Sequence, residues 1–167
     1  MASILKLDTL QTPSGTGVIT SQNKIVYPGA VLQIAQNDYM TWTSSTSSSL
    51  IPTGLQCSIT PILSTSKIVV LINVNGMYNS STSNTVLFSL YRNGSSIASL
   101  DGSYSNNVVN YGGSCSYQYF DSPASTTTQT YALYFRSSSG VNMGINNYTV
   151  SNPSTTRSSI LLMEIAQ

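Results

Sequence analysis

Charge is scarce in this chain. Lys, Arg, Asp and Glu make up 7% of 167 residues, against about 25% in an ordinary soluble domain. Six basic and five acidic residues leave a formal charge of +1, so no cluster can neutralise a run of phosphates. Nucleic-acid binding and electrostatic membrane attachment are therefore disfavoured. Histidine is missing altogether, which removes the commonest general base, Ser-His and Cys-His nucleophile pairs, and His-ligated metal sites. The carboxylates are Asp8, Asp38, Asp101, Asp121 and Glu164. No two are close in sequence, which argues against an acid/base pair for glycoside hydrolysis. No GxGxxG or P-loop pattern occurs. The expectation is a protein that is not an enzyme and uses no metal and no cofactor. Long apolar runs are absent too: the longest is Ile68 to Ile72, far short of the ~20 residues of a membrane helix. The opening MASILKLDTL interrupts its apolar residues with Lys6 and Asp8, leaving no signal-peptide core, so synthesis in a cytosol without secretory export is expected. Cys57 and Cys115 are the only thiols; two reduced Cys acting as small hydrophobes on strands is the leading reading, a disulfide the alternative.

In place of charge stand Ser and Thr, about 30% of the chain, with 11 Tyr and 40% apolar residues. The apolar residues form short β-branched and aromatic runs, so the chain folds rather than remaining disordered. Its length suits one domain with a short appendage. Residues 1–28 form that appendage. They contain no aromatic until Tyr27 and pass through TPSGTG, a turn cluster incompatible with a helix or a central strand. Within them Leu5 and Leu7 alternate with Lys6 and Asp8 in a strand-like piece from Ile4 to Leu10. Such an arm cannot build its own core and needs another surface before ordering becomes favourable.

From residue 29 to 167 the pattern is strands separated by Ser/Thr/Asn/Gly turns. Strands are predicted at Ala30–Gln36, Asp38–Thr43, Gly54–Thr60, Lys67–Asn75, Thr85–Arg92, Ser95–Leu100, Ser116–Ser122, Thr130–Arg136, near Gly144–Val150, and at Ser158–Ala166. Leu55, Cys57 and Ile59, then Val86, Phe88 and Leu90, then Tyr131, Leu133 and Phe135 recur with period two and define a buried face. Ile68 to Ile72 and Ile160 to Met163 are apolar on both faces, as in strands covered from two sides. Asn93-Gly94 is the strongest hairpin signal, because a type I′ turn needs positive φ at both positions. No stretch shows helical period. The fold class expected is all-β: an antiparallel two-sheet sandwich, jelly-roll-like, with an N-terminal extended arm.

Several phrases carry a family resemblance. MASILKLDTLQTPSGTGVIT resembles the opening of virion structural proteins of tailed phages from marine and freshwater sources, cyanophages among them. TGLQCSITP, SKIVVLINVNG, LFSLYRNGSSI, YQYFDSPAST with QTYALYFRS, and SSILLMEIA resemble the β-sandwich knob of such fibre proteins. The resemblance implies a virion surface protein, a homotrimer, with an N-terminal attachment segment and no catalytic residue. The chain departs from long fibres in having no shaft. On this reading Leu5, Leu7 and Leu10 anchor the arm to the major capsid protein or another virion protein. Val69, Leu71 and Leu161, apolar on nominally outward strand faces, lie between subunits. The alternative is a tail-fibre knob recognising host surface glycans. Tyr104, Asn107 and Tyr111, in a Tyr- and Asn-rich stretch around Gly112-Gly113, would then stack on sugar rings and bond their hydroxyls.

Three further features have structural readings. Asp121, before Ser122-Pro123, suits an Asx-type turn in which its carboxylate bonds backbone N–H groups. Trp42, the single Trp, is expected in the core or a subunit seam. Asn79, Asn93 and Asn147 fit the N-x-S/T pattern but, without secretion, are turn residues.

Overall fold

In the computed structural model, residues 27–81, 85–105, 113–147 and 156–167 are described, with backbone only over 101–105. The strands are β1 (Val31–Tyr39), β2 (Thr43–Ser45), β3 (Ile51–Ile59), β4 (Lys67–Asn79), β5 (Thr85–Arg92), β6 (Ser95–Ser105), β7 (Gly113–Asp121), β8 (Gln129–Ser137), β9 (Met143–Ile145) and β10 (Ser158–Ile165). Eight long strands divide into two antiparallel sheets. One runs β1-β10-β4-β7, and the short β9 and β2 extend it from the far end of β4. The other runs β3-β8-β5-β6. Apart from the β5–β6 hairpin, successive long strands alternate between the sheets, which is the winding of a jelly roll.

Alternation decides what the sandwich buries. Leu55, Cys57 and Ile59 from β3, Val86, Phe88 and Leu90 from β5, and Tyr131, Leu133 and Phe135 from β8 meet Ile68, Val70 and Ile72 from β4 and Ile160 and Leu162 from β10 in one core. Each fully buried aliphatic or aromatic side chain contributes roughly 1.5–3 kcal/mol. Phe88 and Tyr117 reach across the gap with ring centroids 6.1 Å apart and planes tilted by 58°, a favoured aromatic geometry. Asn93 and Gly94 take φ of 50° and 80°, as the type I′ hairpin requires. Both cysteines are free: Cys57 is on β3 and half-buried Cys115 is on β7, in opposite sheets.

Several boundaries differ from the sequence reading: β3 starts at Ile51 rather than Gly54, β6 runs to Ser105 rather than Leu100 and β7 starts at Gly113 rather than Ser116, and two further differences bear on the surface described below. The expected break at Asn37 does not occur. β1 continues through Asp38 to Tyr39, because Asn37 stays in register opposite Ile160 and its side-chain amide donates to the Gln56 carbonyl at 2.8 Å. Trp42 therefore follows a long strand rather than lying within a second one. β4 also outruns its expected end at Asn75. Gly76, with φ of 60°, lets it shift register beyond Val74 and go on to pair with β9 at Tyr78 and Asn79. A Cβ at Gly76 would come within 2.7 Å of the Asn147 backbone nitrogen, so only glycine fits that approach.

Candidate interaction surface

The outward face of the β1-β10-β4-β7 sheet departs from a polar coat. Register places Ile34, Met163, Val69 and Phe120 side by side across all four strands. The next outward row is Gln36, Leu161, Leu71 and Gln118, and the one after is Asp38, Ser159, Asn73 and Ser116. The first row is wholly apolar, and the second has an apolar centre. Phe120 is 63% exposed, Ile34 60% and Leu71 36%, so nothing in the described chain covers these three, whereas Met163 and Leu161 are half-buried and Val69 is buried. Charge is confined to the ends of this face, at Lys67 and at Asp38, whose partner Arg157 lies 3.3 Å away in an exposed ion pair of little energetic weight.

A groove of about 610 Å³ runs over the second and third rows. Leu71 and Leu161 give it an apolar floor, and Gln36, Gln118, Asn73 and Ser116 give it an uncharged polar rim. Val69, Leu71 and Leu161, singled out from sequence as outward apolar residues, are thus brought together. Phe120, Ile34 and Met163 were missed. The signal was that Phe120 alternates with Tyr117 and Tyr119, which point inward and pack on the core.

Met40 and Trp42 lie in the short connection between β1 and β2. Trp42 is 54% exposed, and Met40 is exposed too, so Trp42 does not fill the core. Their backbone is held by buried Asn146, whose side-chain nitrogen donates to the carbonyls of Tyr39 at 3.0 Å and Thr41 at 3.1 Å. The Asn146 oxygen accepts from Ser158 Oγ at 2.6 Å.

Among the described residues, the two buried carboxylates are committed to structure. Asp121 makes no Asx turn. Its Oδ2 accepts from Arg92 Nη1 on β5 and from the Tyr131 hydroxyl on β8 at 2.7 Å, tying the two sheets. Burial and the bond to Asp121 push the Tyr131 phenol up, and the same carboxylate raises Arg92. Glu164 accepts from the Gln33 amide at 2.6 Å and from the backbone N–H groups of Ile62 and Leu63 at 2.8 and 3.1 Å. Burial pushes its pKa up, but these donors outweigh burial and hold it below the usual carboxylate value. Among the described residues no three His, Cys, Asp or Glu side chains gather to hold a metal. No described helix is long and apolar enough to cross a membrane.

The outer face of the second sheet is different in kind. Tyr91 and Tyr134 stack there at 3.8 Å with planes 15° apart, flanked in register by Ala132, Ser96, Pro52 and Ser89. Of the glycan-contact residues expected from sequence, Tyr104 lies on β6 opposite Val86. Asn107 and Tyr111 lie outside the described residues, as do Leu5, Leu7 and Leu10.

No family model and no curated protein matches this chain. Among solved structures it is similar to a chain in the structure of infectious bursal virus derived T=1 particles, with 8% identity and a TM-score of 0.44. The match covers 90% of this chain and 40% of that one, so this chain spans less than half of its length.

Proposed function

We propose that this chain is a structural protein of a tailed-phage virion: a homotrimeric surface decoration protein, of capsid cement or head-fibre type, acting by binding and not by catalysis. The N-terminal arm anchors it to the major capsid protein or another virion protein, and the sandwich projects outward and ties neighbouring subunits. The observation that carries this reading is the uncharged apolar row Ile34, Met163, Val69 and Phe120 on an open sheet face. Its ends, Ile34 and Phe120, are exposed, while Val69 at its centre is buried between its neighbours; apolar side chains grouped and exposed in this way mark a binding face. The ordered phrases that resemble virion knobs supply the setting. The two buried carboxylates among the described residues are already held by structural donors, which supports binding over acid/base chemistry. The chain is made in the host cytoplasm and ends on the virion surface. The test is the arm: Leu5→Asp with Leu7→Asp and Leu10→Asp should abolish association with particles while leaving the circular-dichroism spectrum unchanged. Retained decoration by that variant would overturn the anchor.

One observation favours a second reading, the tail-fibre knob. The Tyr91–Tyr134 stack on a face of small residues is the kind of aromatic surface on which sugar rings rest. Binding of neutral glycans that disappears in Tyr134→Ala would support it.

A further inference from the structure

We infer that the groove over Leu71 and Leu161 receives Trp42 of a second copy of this chain, so that subunits join head to tail. This deepens the self-association in the proposed function and rests on it.

Two separate features of the surface fit each other. The groove, at about 610 Å³, lies within the roughly 300–1,000 Å³ range of pockets that enclose organic ligands, so it has room for an indole. Its aliphatic floor suits the ring faces, and its amide rim, Gln36, Gln118 and Asn73, offers carbonyl oxygens to an indole N–H, a group that has only a donor to satisfy. Neither partner carries charge, so docking leaves no ion desolvated. Trp42 is not among the groove's lining residues. It is also pre-positioned: the Asn146 amide holds the carbonyls on either side of Met40, so little backbone freedom is lost on binding. Trp is among the residue types enriched where interfaces hold most of their binding energy.

Trp42 does not line the groove, and a contact between two different patches is heterologous. Such a contact repeats from subunit to subunit, closing as a ring where its rotation returns to the first subunit and running on as a filament where it does not, whereas a self-complementary patch gives a two-fold dimer. Trp42 alone withdraws only on the order of 100 Å² of its own surface, and a standard interface needs about 800 Å² per partner. The row of Ile34, Met163 and Phe120 beside the groove is positioned to contribute more.

The chain carries its own reporter, because Trp42 is its only Trp. The experiment records indole emission and mass by light scattering on the full chain across a dilution series, with Leu71→Glu and Trp42→Phe alongside. The expected result is blue-shifted emission in the oligomer, moving red as dilution or Leu71→Glu dissociates it, and at least a tenfold weaker association for Leu71→Glu. Trp42→Phe controls for folding and should keep the sandwich's circular dichroism. An oligomer whose Trp42 emits as a solvated indole, and whose mass is unchanged by Leu71→Glu, overturns the inference and leaves self-association standing. A chain that stays monomeric at every concentration overturns both.

Discussion

Removing the Asp121 carboxylate should loosen the sandwich where its two sheets are tied. In Asp121→Ala the Tyr131 hydroxyl, on a residue with no exposed surface, loses its acceptor, and an unpaired buried hydroxyl costs about 1–3 kcal/mol. Arg92 loses its counter-ion as well. Stripping a fully buried ion of its partner costs about 3–5 kcal/mol, but 27% of the Arg92 side chain reaches solvent, which screens part of that. The sum expected is about 2–4 kcal/mol, or roughly 4–15 °C in Tm for a chain of this size. Urea unfolding at one fixed protein concentration reads it, since self-association would otherwise shift the midpoint. Asp121→Asn should cost less, because it keeps an acceptor. Tyr131→Phe made on top of Asp121→Ala should cost less than Tyr131→Phe alone, since the shared bond is already gone. A loss under about 0.5 kcal/mol for Asp121→Ala, or strict additivity in the double variant, would refute the tie. The same bond sets an alkaline limit. The folded pKa of Tyr131 lies above its unfolded value, so its contribution is complete below the unfolded pKa of about 10 and declines as pH rises beyond it.

Glu164 titrates in the opposite sense. Its folded pKa is depressed, so its contribution is present above the unfolded value of about 4.3 and fades as pH falls through the folded one. Glu164→Gln should flatten the acid limb of stability against pH, measured by thermal melts from pH 7 down to 2. Gly76→Ala should destabilise by at least about 2 kcal/mol, because a left-handed φ and a Cβ approach to the Asn147 backbone combine; urea midpoints show it. Subunit association, being neutral and apolar, should change little between low and moderate salt, and sedimentation at two ionic strengths checks that.

How far the residues spoke for themselves varies by element. Leu55-Cys57-Ile59, Val86-Phe88-Leu90 and Tyr131-Leu133-Phe135 declared their buried faces because period two is a local property, and Asn93-Gly94 declared its turn for the same reason. The ends of β1 and β4 depended on partners far away in sequence: Ile160 and Gln56 hold Asn37 in a strand, and β9 prolongs β4 past Gly76. Asp121 looked like a turn residue because its neighbours are Ser122 and Pro123, while its true donors lie 29 residues before it and 10 after. The apolar patch on the outward face of the β1-β10-β4-β7 sheet was half legible. Val69 and Leu71 stood out in a run apolar on both faces, but Phe120 and Ile34 gained meaning only when the register set them beside Met163. The site residues on the arm and at Asn107 and Tyr111 fall where the described structure gives no geometry.

On the function proposed above, the protein coats a virion shell by binding. Immunogold labelling, or cryo-electron microscopy of particles carrying the tagged full chain, reads its placement. Density regularly arrayed on the capsid surface is expected, disappearing with the arm substitutions Leu5→Asp, Leu7→Asp and Leu10→Asp. Label confined to the tail tip, or none on particles at all, would contradict it.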